Sequence, residues 1–251
     1  MPAQQQERLT KRQRRVLRQQ GILDTENNLT SNFTVSKDIG PMTDNQSVAF
    51  DAWDNGDNLM LHGIAGTGKT FLGLLFSLKE VMAKNSYYKK VYIVRSIVPT
   101  RDIGFLPGSQ KDKMKVYEAP YYDIASKLFN RGDAYEILKQ RNQVEFISTS
   151  FLRGSTFDDC ILVVDEVQNM SDQELHTVMT RVGENCRIIF CGDVKQDDLT
   201  SERKKEMSGL RVFMRIIERM KEFKFIEFQA SDIVRSALVK AYILERDRQG
   251  L

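Results

Sequence analysis

One octapeptide restricts what this chain can fold into more than any other feature of its sequence. It reads Gly63-Ile64-Ala65-Gly66-Thr67-Gly68-Lys69-Thr70 and matches GxxxxGK[ST] at every fixed position. An apolar run at residues 59–62 precedes it, and a helical pattern at residues 71–81 follows. Strand, glycine-rich turn and helix in this order form a loop whose main-chain N–H groups surround a phosphate. We therefore predict that Lys69 reaches the β- and γ-phosphates of a nucleotide and that Thr70 ligates Mg²⁺.

Short apolar runs alternate with helical patterns along most of the chain, which is typical of βαβ units. Because parallel strands are covered on both faces, they read as continuous apolar runs such as Ile161-Leu162-Val163-Val164. The predicted strands cover residues 59–62, 91–94, 144–147, 161–164, 187–191 and 224–228. The fold class that follows is α/β: a P-loop NTPase (RecA-like) with a mainly parallel sheet flanked by helices.

Two segments between these strands have patterns of their own. Residues 96–141 contain glycine and proline and are predicted to be surface elements inserted at the strand ends. Residues 201–224 are predicted to form one amphipathic helix. Its buried stripe would consist of Leu210, Phe213, Met214 and Ile217.

Acidic and amide side chains follow two of the predicted strands directly. Asp165 and Glu166 come after residues 161–164, and Gln196 follows the strand at residues 187–191. In a parallel sheet a ligand binds outside the carboxyl ends of the strands, where these side chains would meet Lys69. We predict that Asp165 binds Mg²⁺, that Glu166 activates water as general base, and that Gln196 senses the γ-phosphate. A base at Glu166 favours ATP hydrolysis over phosphate transfer to a small acceptor.

Composition and charge indicate one domain with an extension. A chain of 251 residues suits a single α/β domain at residues 42–251. Residues 1–41 are predicted to be a basic helical leader and linker, with six basic residues and one acid between positions 7 and 20. That leader is either a polyphosphate-binding arm or a solvated segment. The net charge of +3 does not by itself indicate nucleic acid.

Cysteine usage and hydropathy bear on the compartment. Cys160, Cys186 and Cys191 lie in or beside apolar runs with no CxxC pair, so we expect reduced, buried thiols and no zinc site. No apolar run approaches the roughly 18 residues of a membrane-spanning helix. We therefore predict a cytoplasmic protein without a membrane segment.

The chain resembles a known family, the PhoH-like proteins, over residues 42–242. Their ATPase core is similar to the first motor domain of superfamily-one helicases. Besides the octapeptide, the matching stretches are Gly104-Phe105-Leu106-Pro107-Gly108, Leu152-Arg153-Gly154-Ser155-Thr156-Phe157, Val164-Asp165-Glu166-Val167-Gln168-Asn169-Met170, Gly192-Asp193 with Gln196, and Asp232-Ile233-Val234-Arg235. The resemblance implies an ATPase of the phosphate-starvation type, found in bacteria and phages, with links to RNA metabolism.

The resemblance also assigns roles to residues outside the loop. It implies that Gln46 reads the adenine edge and selects ATP, the alternative being a surface glutamine at a helix start. It implies an arginine finger at Arg235, acting within the chain or across an oligomer interface, the alternative being a structural salt bridge. Two positions depart from the family pattern: Val167 replaces a common alanine, and Ser236 stands where histidine is common.

The sequence is compatible with two classes of function. The first is an ATPase stimulated by RNA or single-stranded DNA, with helicase-like remodelling, assembled as a homo-oligomeric ring such as a hexamer. Basic side chains would contact phosphates in that case, namely Arg95, Arg101, Lys111, Lys113, Lys115 and Arg153. The second is a nucleotide-switched regulatory module that acts on a protein partner.

Overall fold

The computed structural model describes residues 33–36, 38–97, 110–152, 154, 156–193 and 204–249, with backbone alone at 110–113 and 204–209. The chain divides into two compact units, Met1–Thr34 and Val35–Leu251. Of the smaller unit, only Phe33 and Thr34 are described, so the predicted basic leader lies outside the described residues.

The larger unit begins ahead of the predicted domain boundary at residue 42. Val35 is buried, and the Ser36 N–H donates to the Leu128 carbonyl at 2.8 Å. The polar sequence around these positions does not indicate this boundary, because the contact is a main-chain hydrogen bond.

A six-stranded sheet forms the centre of the larger unit, and every pair of neighbouring strands in it is parallel. The strands are β1 (Asn58–Gly63), β2 (Lys90–Arg95), β3 (Val144–Ser148), β4 (Cys160–Asp165), β5 (Cys186–Gly192) and β6 (Phe223–Phe228). Their order across the sheet is β3-β2-β4-β5-β1-β6. Each predicted strand is confirmed, with ends that differ by a residue or two. Every residue of β4 is buried, which is why its sequence is apolar without alternation.

Helices connect the strands in the described part of the chain. They are α1 (Asp44–Asp54), α2 (Lys69–Val81), α3 (Gln110–Phe129), α4 (Ala134–Gln140), α5 (Asp172–Met179), α6 (Lys204–Ile217) and α7 (Ala237–Arg248). Local caps fix two of the starts: the Thr43 hydroxyl accepts from the Gln46 N–H ahead of α1, and Ser171 with Glu174 forms a capping box on α5.

The prediction of a surface insertion at residues 96–141 is wrong for its second half. Helices α3 and α4 bury one side against the sheet, and Tyr121, Leu128, Tyr135 and Leu138 are almost wholly enclosed. The sequence did not predict α3, because Pro120 lies inside it and a proline within a helical pattern argues against a continuous helix. Twelve residues of the connection, 98–109, lie outside the described residues.

The predicted helix at residues 201–224 is too long. Helix α6 ends at Ile217, and β6 begins at Phe223. The buried stripe is confirmed, since Leu210, Phe213 and Ile217 are enclosed and Met214 packs against the same core. The basic, amphipathic composition runs on past Ile217, so the sequence pattern does not mark the end of the helix.

All six strands point the same way, so their carboxyl ends share one edge of the sheet. The segments that follow β1, β2, β4, β5 and β6 therefore approach one another although they are far apart in the chain.

Cys160 and Cys191 are buried, but Cys186 is only half-buried at the start of β5, so the prediction of three buried thiols is wrong for Cys186. None of the helices in the described part of the chain combines the length and apolar character that crossing a membrane requires.

Candidate nucleotide site

The glycine-rich loop connects β1 to α2, as the sequence predicts. Gly63 has φ 115°, and a Cβ placed on it would run into the main chain of Phe228 on the neighbouring strand. Gly68 has φ 90° and directly precedes the first turn of α2. These left-handed conformations suit glycine, and they turn the chain so that the loop curls around the helix start.

Lys69 is the first residue of α2 and is 6% exposed. Its Nζ donates to the carbonyls of Gly63 at 3.1 Å and Ile64 at 2.7 Å. It also pairs with the Asp193 carboxylate at 2.5 Å. The ammonium group is therefore held at the mouth of the loop by oxygen partners that a phosphate oxygen would replace.

Thr70 and Asp165 form the contact that a magnesium site of this kind requires. The Thr70 hydroxyl donates to Asp165 Oδ1 at 2.7 Å, so a hydroxyl oxygen and a carboxylate lie side by side at the end of β4. Oxygen donors of this type fit Mg²⁺, which keeps several waters and phosphate oxygens as its other ligands. Among the described residues, no cluster of three or more His, Cys, Asp or Glu side chains could hold a metal alone. The pair thus suits an ion delivered together with a nucleotide.

A tyrosine from the inserted helix α3 holds the other oxygen of Asp165. The Tyr121 hydroxyl donates to Oδ2 at 2.9 Å, and Tyr121 is fully buried. Burial raises the pKa of Asp165, while the hydrogen bonds from Thr70 and Tyr121 and the charge of Arg95 act in the opposite direction. Sequence reasoning missed Tyr121, because nothing in the segment around it indicates which strand end it contacts.

Glu166 leaves the strand instead of continuing it. Its backbone is left-handed, with φ 55° and ψ 46°, so β4 ends at Asp165 and the alternation of a strand does not apply to the pair. Its carboxylate accepts from Gln168 Nε2 at 2.5 Å. Burial raises the pKa of Glu166, and repulsion from Asp165 adds to the effect. The two acids therefore occupy separate positions, because the main chain turns at Glu166.

Gln168 connects the carboxylate of Glu166 to the end of β5. Its Oε1 accepts the Asp193 N–H at 3.1 Å, while its amide nitrogen donates to Glu166. Since Asp193 also pairs with Lys69, a continuous chain of contacts runs from the loop lysine to Glu166. Gln168 and Asp193 both lie in recognisable motifs, but neither motif indicates that the two residues are in contact.

Arg95 ends β2 and lies in register with Asp165 on the adjacent strand. Its guanidinium stands 5.7 Å from the centre of the Tyr117 ring, and its charge opposes the rise that burial causes in the pKa values of Asp165 and Glu166. The residue predicted to contact nucleic acid is thus placed beside the acidic pair, and its contact with nucleic acid stays a prediction.

Gln46 reaches the loop from α1. It is 4% exposed, and its amide nitrogen donates to the Thr67 carbonyl at 3.0 Å while its oxygen accepts the Met42 N–H at 2.8 Å. An amide has two N–H groups and two lone pairs on oxygen, so one of each remains for another partner. Gln46 lies at the start of α1 but is buried, so the alternative of a surface glutamine is wrong, whereas the reading of adenine stays a prediction.

Arg235 lies over the loop of its own chain. The Val234 N–H donates to the Gly66 carbonyl at 3.1 Å, and a Cβ built on Gly66 would be 3.1 Å from Arg235 Cγ. Arg235 itself is exposed at the surface. The stretch after β6 therefore brings a cation to the phosphate loop from within the same chain.

The remaining predicted residues divide into two groups. Lys115 is an exposed residue of α3. The other side chains lie outside the described residues: Gln196, Arg101, Lys111, Lys113 and Arg153.

Comparisons with known proteins concern the family and the fold of this chain. A family model described as PhoH-like protein matches residues 38–245. The PhoH-like protein of Bacillus subtilis (strain 168) is 34% identical over 189 residues, which is 75% of this chain and 57% of that protein. The PhoH-like protein of Mycobacterium leprae (strain TN) is 31% identical over 210 residues, 82% of this chain and 58% of that protein. Protein PhoH of Escherichia coli (strain K12) is 29% identical over 70% of this chain and 49% of its own length.

Among solved structures, the large terminase of bacteriophage HK97 superposes with a TM-score of 0.51 at 12% identity, covering 88% of this chain and 50% of that one. At this identity the likeness concerns the fold alone, which is that of a P-loop NTPase. The chain spans between about half and three fifths of the length of the three relatives named above. Because the family model covers most of the sequence and the Mycobacterium leprae protein aligns with 82% of it, the chain belongs to the PhoH-like protein family.

Proposed function

We propose that this protein binds ATP with Mg²⁺ at the edge of the sheet and hydrolyses it. The observation that carries the proposal is the hydrogen bond of 2.7 Å between Thr70 and Asp165, which joins the phosphate loop to the acidic end of β4. In P-loop NTPases a hydroxyl and an acid in these positions hold the Mg²⁺ that accompanies the nucleotide, and Thr70 and Asp165 would do so here. When bound, Mg²⁺ neutralises charge that develops on the phosphate oxygens.

Four further side chains would bind the nucleotide or take part in its hydrolysis. Lys69 exchanges its carbonyl and Asp193 partners for phosphate oxygens. Glu166 accepts the proton of the attacking water, and its raised pKa makes its ionised form a stronger base. Arg235, which lies over the loop of its own chain, supplies positive charge to the transition state in cis. Gln46 uses its remaining amide N–H and lone pair on the edge of adenine.

Phosphate release from ATP tests the proposal in the parent chain and three variants. Lys69→Ala should weaken nucleotide binding. Glu166→Gln should bind nucleotide but turn over about 10²- to 10⁴-fold more slowly, because general base catalysis is lost. Arg235→Ala should slow turnover with little change in affinity.

Glu184→Gln is the matched control for the change at Glu166. Glu184 is exposed in the turn before β5, at the opposite end of the sheet, so the same chemical change there should leave turnover as in the parent. If Glu166→Gln hydrolyses ATP at the parental rate, Glu166 is not the base and the proposed mechanism fails.

We further propose that RNA or single-stranded DNA stimulates this activity and that the remodelling is helicase-like. Support comes from two basic side chains: Arg95 at the carboxyl end of β2, next to the acidic pair, and Lys115, which is exposed on α3. Rates of ATP hydrolysis with and without each nucleic acid, at two salt concentrations, test this. Stimulation should weaken as salt rises, because phosphate contacts release counterions. An unchanged rate without salt-dependent binding would instead favour the nucleotide-switched regulatory module.

The same proposal includes assembly into a homo-oligomeric ring in the cytoplasm. Supporting it, α7 has no buried residue and exposes Leu238 and Tyr242, which are 81% and 64% accessible. Single surface apolar residues are common, whereas several on one short helix suit an interface. Light scattering with and without MgATP should give a mass several times that of one chain. A monomeric mass under both conditions would contradict the ring.

A further inference from the structure

Two cysteines at the amino ends of neighbouring strands face each other. Cys160 begins β4 and Cys186 begins β5, and the two are directly paired in the parallel register. Their sulfur atoms are 3.6 Å apart. Paired residues on adjacent strands have Cα atoms about 4.8 Å apart, within the roughly 4.4–6.8 Å that a disulfide spans. A disulfide could therefore form by rotation of the two side chains without a change in strand pairing.

The two thiols differ in access and in acidity. Cys160 is 1% exposed within the apolar core, while Cys186 is half-buried at the strand start. Their mutual hydrogen bond lowers the pKa of Cys186 and raises the pKa of Cys160, and the main chain at Gly183 further favours the Cys186 thiolate. The thiolate is the reactive form of cysteine, so Cys186 combines reactivity with access.

We propose that Cys160 and Cys186 form a two-thiol oxidation site that takes a peroxide as oxidant and closes to a reversible disulfide. In the first step the Cys186 sulfur attacks one peroxide oxygen, the O–O bond breaks, and Cys186 becomes a sulfenic acid while water leaves. In the second step the Cys160 sulfur attacks the sulfenic sulfur, the S–O bond breaks, and a second water leaves. The two thiols lose two electrons and two hydrogens in total, and the peroxide is reduced.

The position of the pair determines what the cross-link would do. It lies five residues before Asp165 on β4, about 17 Å away at 3.3 Å per residue, so the nucleotide site is remote from it. The bond would join β4 and β5 where they are already paired and would close the connection between them. We expect the melting temperature to rise on the order of 5–10 °C, because the cross-link restricts the unfolded chain. This inference is independent of the proposed ATP hydrolysis.

Mass spectrometry on the folded chain tests the site. The reduced, folded protein is exposed to hydrogen peroxide and then unfolded in denaturant, so that an alkylating reagent reaches every remaining thiol, including buried Cys191. Intact mass and peptides are then measured. We expect the loss of two hydrogen atoms, one alkylated thiol per chain, and a cross-linked peptide pair containing Cys160 and Cys186. Dithiothreitol should restore three alkylated thiols and the original melting temperature.

Cys191→Ser is the matched control, because Cys191 is buried in β5 and has a raised pKa caused by that burial. It should form the disulfide as the parent does, whereas Cys186→Ser should not. If Cys186→Ser does not fold, the cross-linked peptides of the parent chain decide between the outcomes. A product that only gains oxygen, a cross-link that includes Cys191, or an unchanged mass would each overturn the proposal.

Discussion

Tyr121 shows how a single buried side chain connects the inserted helix α3 to the predicted metal site. Its hydroxyl holds one oxygen of Asp165 while Thr70 holds the other, so the carboxylate cannot rotate. A residue that fixes a metal ligand in this way commonly contributes 10- to 100-fold to metal affinity or activity. Tyr121 would therefore be a positioning residue, since it would act on the proposed Mg²⁺ through Asp165.

We predict that Tyr121→Phe raises the Mg²⁺ concentration needed for half-maximal nucleotide binding by about tenfold. The change removes one hydroxyl and keeps the ring that packs near Phe146. Binding of a fluorescent ADP analogue, titrated with Mg²⁺, measures the effect without relying on turnover. Nucleotide binding in the absence of Mg²⁺ should be unaffected.

The adjacent tyrosine provides the control for this prediction. The Tyr122 hydroxyl donates to Glu136 on α4 instead of to Asp165, so Tyr122→Phe should respond to Mg²⁺ as the parent does. Equal Mg²⁺ curves for Tyr121→Phe and the parent would show that Thr70 alone orients the carboxylate.

The sequence alone indicated the candidate site residues that lie in motifs, but it did not indicate the contacts that Tyr121 and Asp193 make with them. Lys69, Thr70, Asp165 and Glu166 were predictable because each lies in a short motif whose spacing reflects its chemistry. Tyr121 was not, because it lies 44 positions from its partner and its segment carries no motif. The pairing of Asp193 with Lys69 depends on β5 and β1 being neighbours, which strand order along the chain does not reveal.

At the scale of elements, strands were more predictable than the boundaries of helices. All six strands appear as apolar runs because a parallel sheet covered on both faces excludes polar side chains. Helix α3 was missed because it contains Pro120 and is polar on average, and its buried side became visible only through packing. Helix α6 was predicted too long because amphipathic composition continues beyond its last turn.

Glu174 connects three elements next to the nucleotide site. Its carboxylate accepts from Ser96 after β2 at 2.8 Å, from Thr149 after β3 at 2.5 Å and from Ser171, which caps α5. Burial raises the pKa of Glu174, but these hydrogen bonds outweigh it, so the pKa is lowered overall. Ionised Glu174 thus fastens the ends of β2 and β3 to the start of α5.

We predict that Glu174→Gln lowers the free energy of unfolding by about 1–3 kcal/mol at pH 7, because an ionised acceptor of several hydrogen bonds is lost. A depressed folded pKa contributes stability that is present above the unfolded value and is lost as pH falls through the folded value. The difference between parent and variant should therefore shrink below about pH 4.5. Denaturant unfolding at pH 7 and pH 4 measures it. Glu184→Gln serves as control, and a difference that stays constant with pH would contradict the role of the charge.

At the scale of the whole molecule, one edge of the sheet collects contributions from segments spread over most of the chain. Gln46 of α1 and Arg235 after β6 both contact the loop that follows β1. A ligand that binds between such segments stabilises the folded state as a whole, since the unfolded chain has no site for it. Thermal stability should therefore report on the proposed site independently of catalysis.

We predict that MgATP at about 100 times its dissociation constant stabilises the fold by about 2.7 kcal/mol. For a chain of this size that corresponds to a rise in melting temperature of roughly 5–10 °C. Glu166→Gln should show the full rise, because it keeps every proposed binding group and loses only the base. Lys69→Ala should show little of it, and EDTA should remove most of it in the parent by withdrawing the metal that Thr70 and Asp165 would hold. If the parent melts at the same temperature with and without MgATP, these segments do not form an ATP site. If all variants and the EDTA sample rise equally, the nucleotide binds elsewhere on the molecule.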